Sequence, residues 1–166
     1  MTKNDFYECV MEAYRPAAAL IRMVPADKLE WRPGPKFMSL GQVICHLGDG
    51  MGSELRCLFT GQWPHTLEQM MELMKLENIT SCSVEEALSR LEKDKTVLRE
   101  FLDSLSEEDF THKVVSAPWG MGGKMERMAI AFLEHFTNHK MQLFTYLKLL
   151  GFPVDTATLY FGESAG

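Results

Sequence analysis

Apolar side chains recur at three- and four-residue intervals through four long stretches of the chain, and that rhythm commits it to α-helix. The first stretch runs from Thr2 to Met23, with Phe6, Val10, Ala13, Tyr14, Ala17, Ala18 and Ile21 on one face. Pro16 lies inside it, where a kink is expected, and Pro25 closes it. The second begins at Ser39, where Ser39-Leu40-Gly41-Gln42 reads as a capping box, and continues to Gly61. Its stripe is Leu40, Val43, Ile44, Leu47, Met51, Leu55, Leu58 and Phe59. The third opens on Ser83-Val84-Glu85-Glu86 and carries Ala87, Leu88, Leu91, Leu98, Phe101, Leu102 and Leu105. The fourth spans Lys124 to Leu150 and stops at Gly151, with Pro153 beyond.

No stretch of useful length alternates as a strand does. The linkers 24–38, 61–82 and 106–123 exceed the roughly 2–8 residues usual between antiparallel bundle neighbours, so crossover connections are open to the chain. Thr66 to Leu76 can supply a short extra helix. With 166 residues the chain suits one domain, 1–166, and the expected fold is all-α, a four-helix bundle.

Charge and composition exclude several functions. Twenty-three acidic against 17 basic side chains give a net charge of −6, and no run of Lys or Arg offers a surface for nucleic acid. The apolar runs fall far short of the ~20 residues that span a bilayer. The first ten residues carry Lys3, Asp5 and Glu8 without an apolar core, so no secretory signal is read there and a cytoplasmic location is expected. Cys9, Cys45, Cys57 and Cys82 are scattered and read as reduced thiols, most of them half-buried within helices. Met70, Met71 and Met74 cluster on the short extra helix, where thioethers more often fill gaps than bind copper.

Of the five histidines, His65 and His112 fall in linkers and read as solvated. His135 and His139 are one turn apart on the inward stripe expected for the fourth helix, with Met128, Phe132, Gln142, Leu143 and Tyr146. Imidazoles buried on an apolar face need a partner at each nitrogen, and a metal ion or a hydrogen-bonded neighbour serves equally well. His46, at the edge of the second stripe, is placed to complete a three-nitrogen site across the bundle. Gly41, Gly48, Gly50 and Gly52 each weaken a helix by about 1 kcal/mol relative to Ala; they read either as close-packing positions or as clearance beside a pocket.

Two blocks resemble a known family. Ala26-Asp27-Lys28-Leu29-Glu30-Trp31-Arg32-Pro33-Gly34 precedes Ser39-Leu40-Gly41-Gln42-Val43-Ile44-Cys45-His46-Leu47. The second block runs from Glu134-His135-Phe136-Thr137-Asn138-His139 through Gln142-Leu143 and Tyr146-Leu147 to Gly151. Together they are similar to the DinB-like (DNA-damage-inducible) bundles, a family that includes the bacillithiol-type thiol transferases. The resemblance implies an up-down-down-up bundle, a divalent metal on His46, His135 and His139, and a homodimer. It also implies transfer of a low-molecular-weight thiol to a small electrophile, or hydrolysis of a small substrate; a non-catalytic, metal- or ligand-binding stress-response bundle is the alternative.

Three neutral imidazoles would leave one coordination position open, as catalytic sites do. The nitrogens suit zinc, nickel or iron(II), with zinc or nickel the expected occupant. Glu54, two turns beyond His46, is the candidate proton carrier; Gln142 and Tyr146 are candidates for holding a ligand or touching substrate. Trp31, Trp63 and Trp119 either wall a pocket or pin loops. Nothing in the chain selects bacillithiol, mycothiol or glutathione, and direct DNA repair finds no support in its charge.

Overall fold

Polar residues set where the helices start. Thr2 and Asp5, Ser39 and Gln42, Thr66 and Gln69, and Asp155 and Thr158 form reciprocal capping boxes, each side chain satisfying the other's orphan backbone N–H. The computed structural model describes residues 1–163. Its elements are α1 (Lys3–Arg22), a 3-10 turn (Ala26–Lys28), α2 (Leu40–Asp49), α3 (Gly52–Thr60), α4 (Leu67–Leu73), α5 (Val84–Ser104), α6 (Glu107–His112), β1 (Val114–Ser116), β2 (Gly122–Lys124), α7 (Met125–Leu149) and α8 (Thr156–Phe161).

α1, α2 with α3, α5 and α7 form the all-α four-helix bundle, and pairs of contacts give their directions. Asn4 meets Arg99 and Tyr14 meets Asp94, so α1 and α5 run opposite ways. Gly48 lies against Ala87 and Gly52 against Leu98, so α2–α3 runs parallel to α5. Met1 pairs with Glu126 and Tyr14 packs on Phe136, so α7 runs parallel to α1. The bundle is therefore up-down-down-up. α1 and α2 share no principal interface, and each packs between α5 and α7. The first linker crosses the bundle diagonally, which is why it needs its length.

The structure differs from the helices read in the sequence at several places. The second helix is not continuous: the chain breaks at Gly50, whose φ of 64° favours glycine, and restarts as α3. The restart is held from another helix, because the buried Asp94 of α5 accepts from the backbone N–H groups of Met51 and Gly52 at 3.0–3.1 Å. The 106–123 linker holds α6 and a small antiparallel hairpin, β1–β2, in which Val115 pairs with Gly123. Strands of three residues are too short to show an alternating pattern. α8, beyond the expected end of the bundle, docks on α1. α1 runs as one helix through Pro16.

Gly48 and Gly52 resolve toward close packing. A Cβ at Gly48 would stand 2.7 Å from the Ala87 carbonyl, and one at Gly52 would stand 2.8 Å from the Leu98 amide nitrogen. Both let the parallel pair approach backbone to backbone. The tryptophans pin loops: Trp31 meets Tyr146 nearly at right angles with ring centroids 5.6 Å apart, and Trp63 meets Trp119 at 4.9 Å. Met71 of α4 and Met74, which caps its C-terminus, are exposed.

Candidate metal centre

α7 buries Met125, Met128, Phe132, Phe136, Lys140 and Leu143. Its inward face is thus centred about one residue beyond His135 and His139. The sequence placed both histidines mid-stripe; they lie instead on its flank, His135 exposed and His139 half-buried. That offset turns their rings toward α2, where half-buried His46 comes from the last turn.

The three imidazoles converge. His46 Nε2 and His135 Nε2 are 2.9 Å apart, and one nitrogen from each ring lies within 4.8 Å of the others. The rings stand nearly perpendicular, at 75–86°, with centroids 4.4–5.2 Å apart, so their edges meet rather than their faces. His139 Nδ1 donates to Gln142 Oε1 at 2.8 Å, which fixes the tautomer and leaves Nε2 as the free lone pair. Gln142 Nε2 in turn donates to the Tyr146 hydroxyl at 2.9 Å. Two of the residues singled out from the sequence thus form a hydrogen-bonded chain behind the third imidazole.

Burial, followed by the nearby His139 and His135 rings, holds His46 down to about 4; burial and His139 also lower His135. Neutral imidazoles at pH 7 are what a cation requires. Between them lies a cavity of about 10 Å3, room for one water-sized occupant. Leu47, Met51, Phe132 and Phe136 wall it with apolar surface. The donor set, the lowered pKa of His46 and His135 and the size of the space all fit a single divalent ion.

Glu54, from the first turn of α3, lines the same cavity. The carboxyl is pushed up to about 7 by desolvation, then by Asp49 and Asp94, although its side chain keeps contact with solvent. His65, His112 and the tryptophans do not line the cavity.

Two residues near the site were missed in the sequence. Asp94 follows Ala87 and Leu91 on the inward α5 stripe, and a carboxylate at that spacing was the available signal. Lys140, beside His139, is buried and donates from Nζ to the Leu159 carbonyl at 3.1 Å, tying α8 to α7.

An up-down-down-up bundle with a histidine triad between its second and fourth helices defines the class: an all-α protein with a site compatible with a divalent metal. The chain belongs to the DinB superfamily, whose family model matches residues 12–142. A crystal structure from Exiguobacterium sibiricum, described as a member of the DinB family, superposes with a TM-score of 0.69. That match covers 94% of this chain and 96% of the other at 18% identity, and it speaks to the fold. No curated protein matches the chain. No described helix is long and apolar enough to cross a membrane.

Proposed function

We propose that the protein is a divalent-metal enzyme that activates a small thiol, or a water molecule, for attack on a small electrophile. The convergence of His46, His135 and His139 on one small cavity carries this reading. His46, His135 and His139 would hold such a cation without cancelling its charge, and the charge would lower the pKa of a thiol or water bound beside it.

The remaining work falls to this chain's own side chains. Gln142 holds the His139 ring, and Tyr146 holds Gln142. Phe132, Phe136, Leu47 and Met51 keep the floor dry. Glu54 Oε, raised toward neutrality, takes the proton as the nucleophile is unmasked and returns it to the departing group. In the thiol reaction sulfur forms the new bond to carbon, and the leaving group departs with its bonding pair.

The test is elemental analysis of protein purified without a histidine tag, alongside turnover with thiol–electrophile pairs and hydrolysable esters. Zinc, nickel or iron near one equivalent, lost in His139→Ala together with turnover, is the expected result. Undiminished metal and activity in that variant would overturn the reading. The small cavity also favours a second reading, a non-catalytic metal-binding module, which predicts bound metal with no turnover in any screen.

A further inference from the structure

Beneath the cavity lies a buried pair that reaches both of its walls. Tyr14 of α1 is fully buried and Asp94 of α5 is 4% exposed. The Tyr14 hydroxyl donates to Asp94 Oδ2 at 2.7 Å and accepts from the Met51 N–H at 3.0 Å. Both Asp94 oxygens accept from the Gly52 N–H, and Oδ2 accepts from the Met51 N–H as well. Those amides start α3, whose first turn carries Glu54, and Gly50 and Met51 themselves line the cavity.

The other wall is reached through the ring. Tyr14 packs on Phe136 with centroids 4.7 Å apart, and Phe136 follows His135 on α7. Space for this arrangement exists only because residue 50 is glycine: a Cβ there would run into the Asp94 carboxylate and stand 2.7 Å from the Tyr14 hydroxyl.

We infer that Tyr14 and Asp94 are positioning residues for the histidine site, setting the distance between the α2–α3 wall and the α7 pair. Cutting the Asp94 bonds frees the start of α3. Removing the hydroxyl uncouples Tyr14 from that start while leaving its ring on Phe136. In both cases the three rings lose their common register. The inference rests on the metal reading of the site.

The experiment uses Co2+ as the probe with wild type, Asp94→Asn and Tyr14→Phe, each shown by circular dichroism to be folded at the temperature used. Expected are a changed Co2+ absorption spectrum and Co2+ affinity weakened by about ten- to a hundred-fold in both variants. In the metal-free proteins the His46, His135 and His139 ring resonances should shift as well. Should Asp94→Asn not fold, Tyr14→Phe, which keeps the carboxylate on both amides, decides the matter alone. Folded variants with the wild-type spectrum, affinity and ring resonances would overturn the positioning role and leave the metal reading standing. A wild-type protein that takes up no Co2+ would overturn the metal reading, and the inference with it.

Discussion

His46 Nε2 and His135 Nε2 face each other at 2.9 Å across 89 residues of chain. Two neutral imidazole lone pairs do not approach so closely without something between them, so the pair shares either a proton or a cation. His139 brings a third nitrogen within 4.8 Å of both, a donor set compatible with one shared divalent cation.

Metal should stabilise the protein as any ligand of the native state does. At a free concentration one hundred times Kd the gain is about 2.7 kcal/mol. For a chain of this size that raises Tm by roughly 5–10 °C. Differential scanning calorimetry with and without EDTA checks this, and His139→Ala should respond to neither metal nor chelator.

Gln142→Leu removes the acceptor that fixes the His139 ring and leaves Tyr146 without its donor. Metal affinity should fall by about ten- to a hundred-fold. Tyr146→Phe, one step further from the ligand, should lose less. Isothermal titration with Zn2+ ranks the two, and equal losses would show that the chain of hydrogen bonds does not transmit.

Gly50→Ala meets both an unfavourable backbone conformation, at roughly 1–2 kcal/mol, and the Asp94 carboxylate. Gly61 has a similar φ of 71° with no described atom within 4 Å of its missing Cβ, so Gly61→Ala meets the backbone term alone. Urea unfolding should show the first variant clearly less stable than the second. Matching midpoints would mean that the start of α3 yields easily.

Glu54 gives the metal-free protein a pH dependence of defined sign. Its carboxyl is raised from 4.5 to about 7 in the fold, so the native state holds the proton more tightly than the unfolded chain. The stability this supplies is complete below pH 4.5 and lost as pH rises through about 7. Glu54→Gln should therefore match wild type at pH 4 and exceed it at pH 8. Solvent contact limits the gain to about 1 kcal/mol or less. Urea titrations at the two pH values measure it.

The four long helices were legible because periodicity and capping are local, and Thr2, Ser39 and Ser83 mark their starts within a turn or two. The break at Gly50 was not, because its cause sits on another helix: Asp94 replaces the N-terminal cap that Met51 cannot provide. The histidines were identifiable as residues but misplaced by a fraction of a turn. Counting 100° per residue assigns a face only to within neighbouring positions, and Phe136 and Lys140, not His135 and His139, took the centre. The hairpin and α8 were too short to leave a pattern, although Asp155 and Thr158 spelled out a cap.

The diagonal passage of the first linker has a bearing on how the protein is made. A ribosome delivers α1, α2, α3 and α5 before any part of α7, and His46 has neither of its ring partners until α7 follows. A chain ending before Met125 carries only one ring of the triad, so any cation that needs all three would be held only once the bundle is complete.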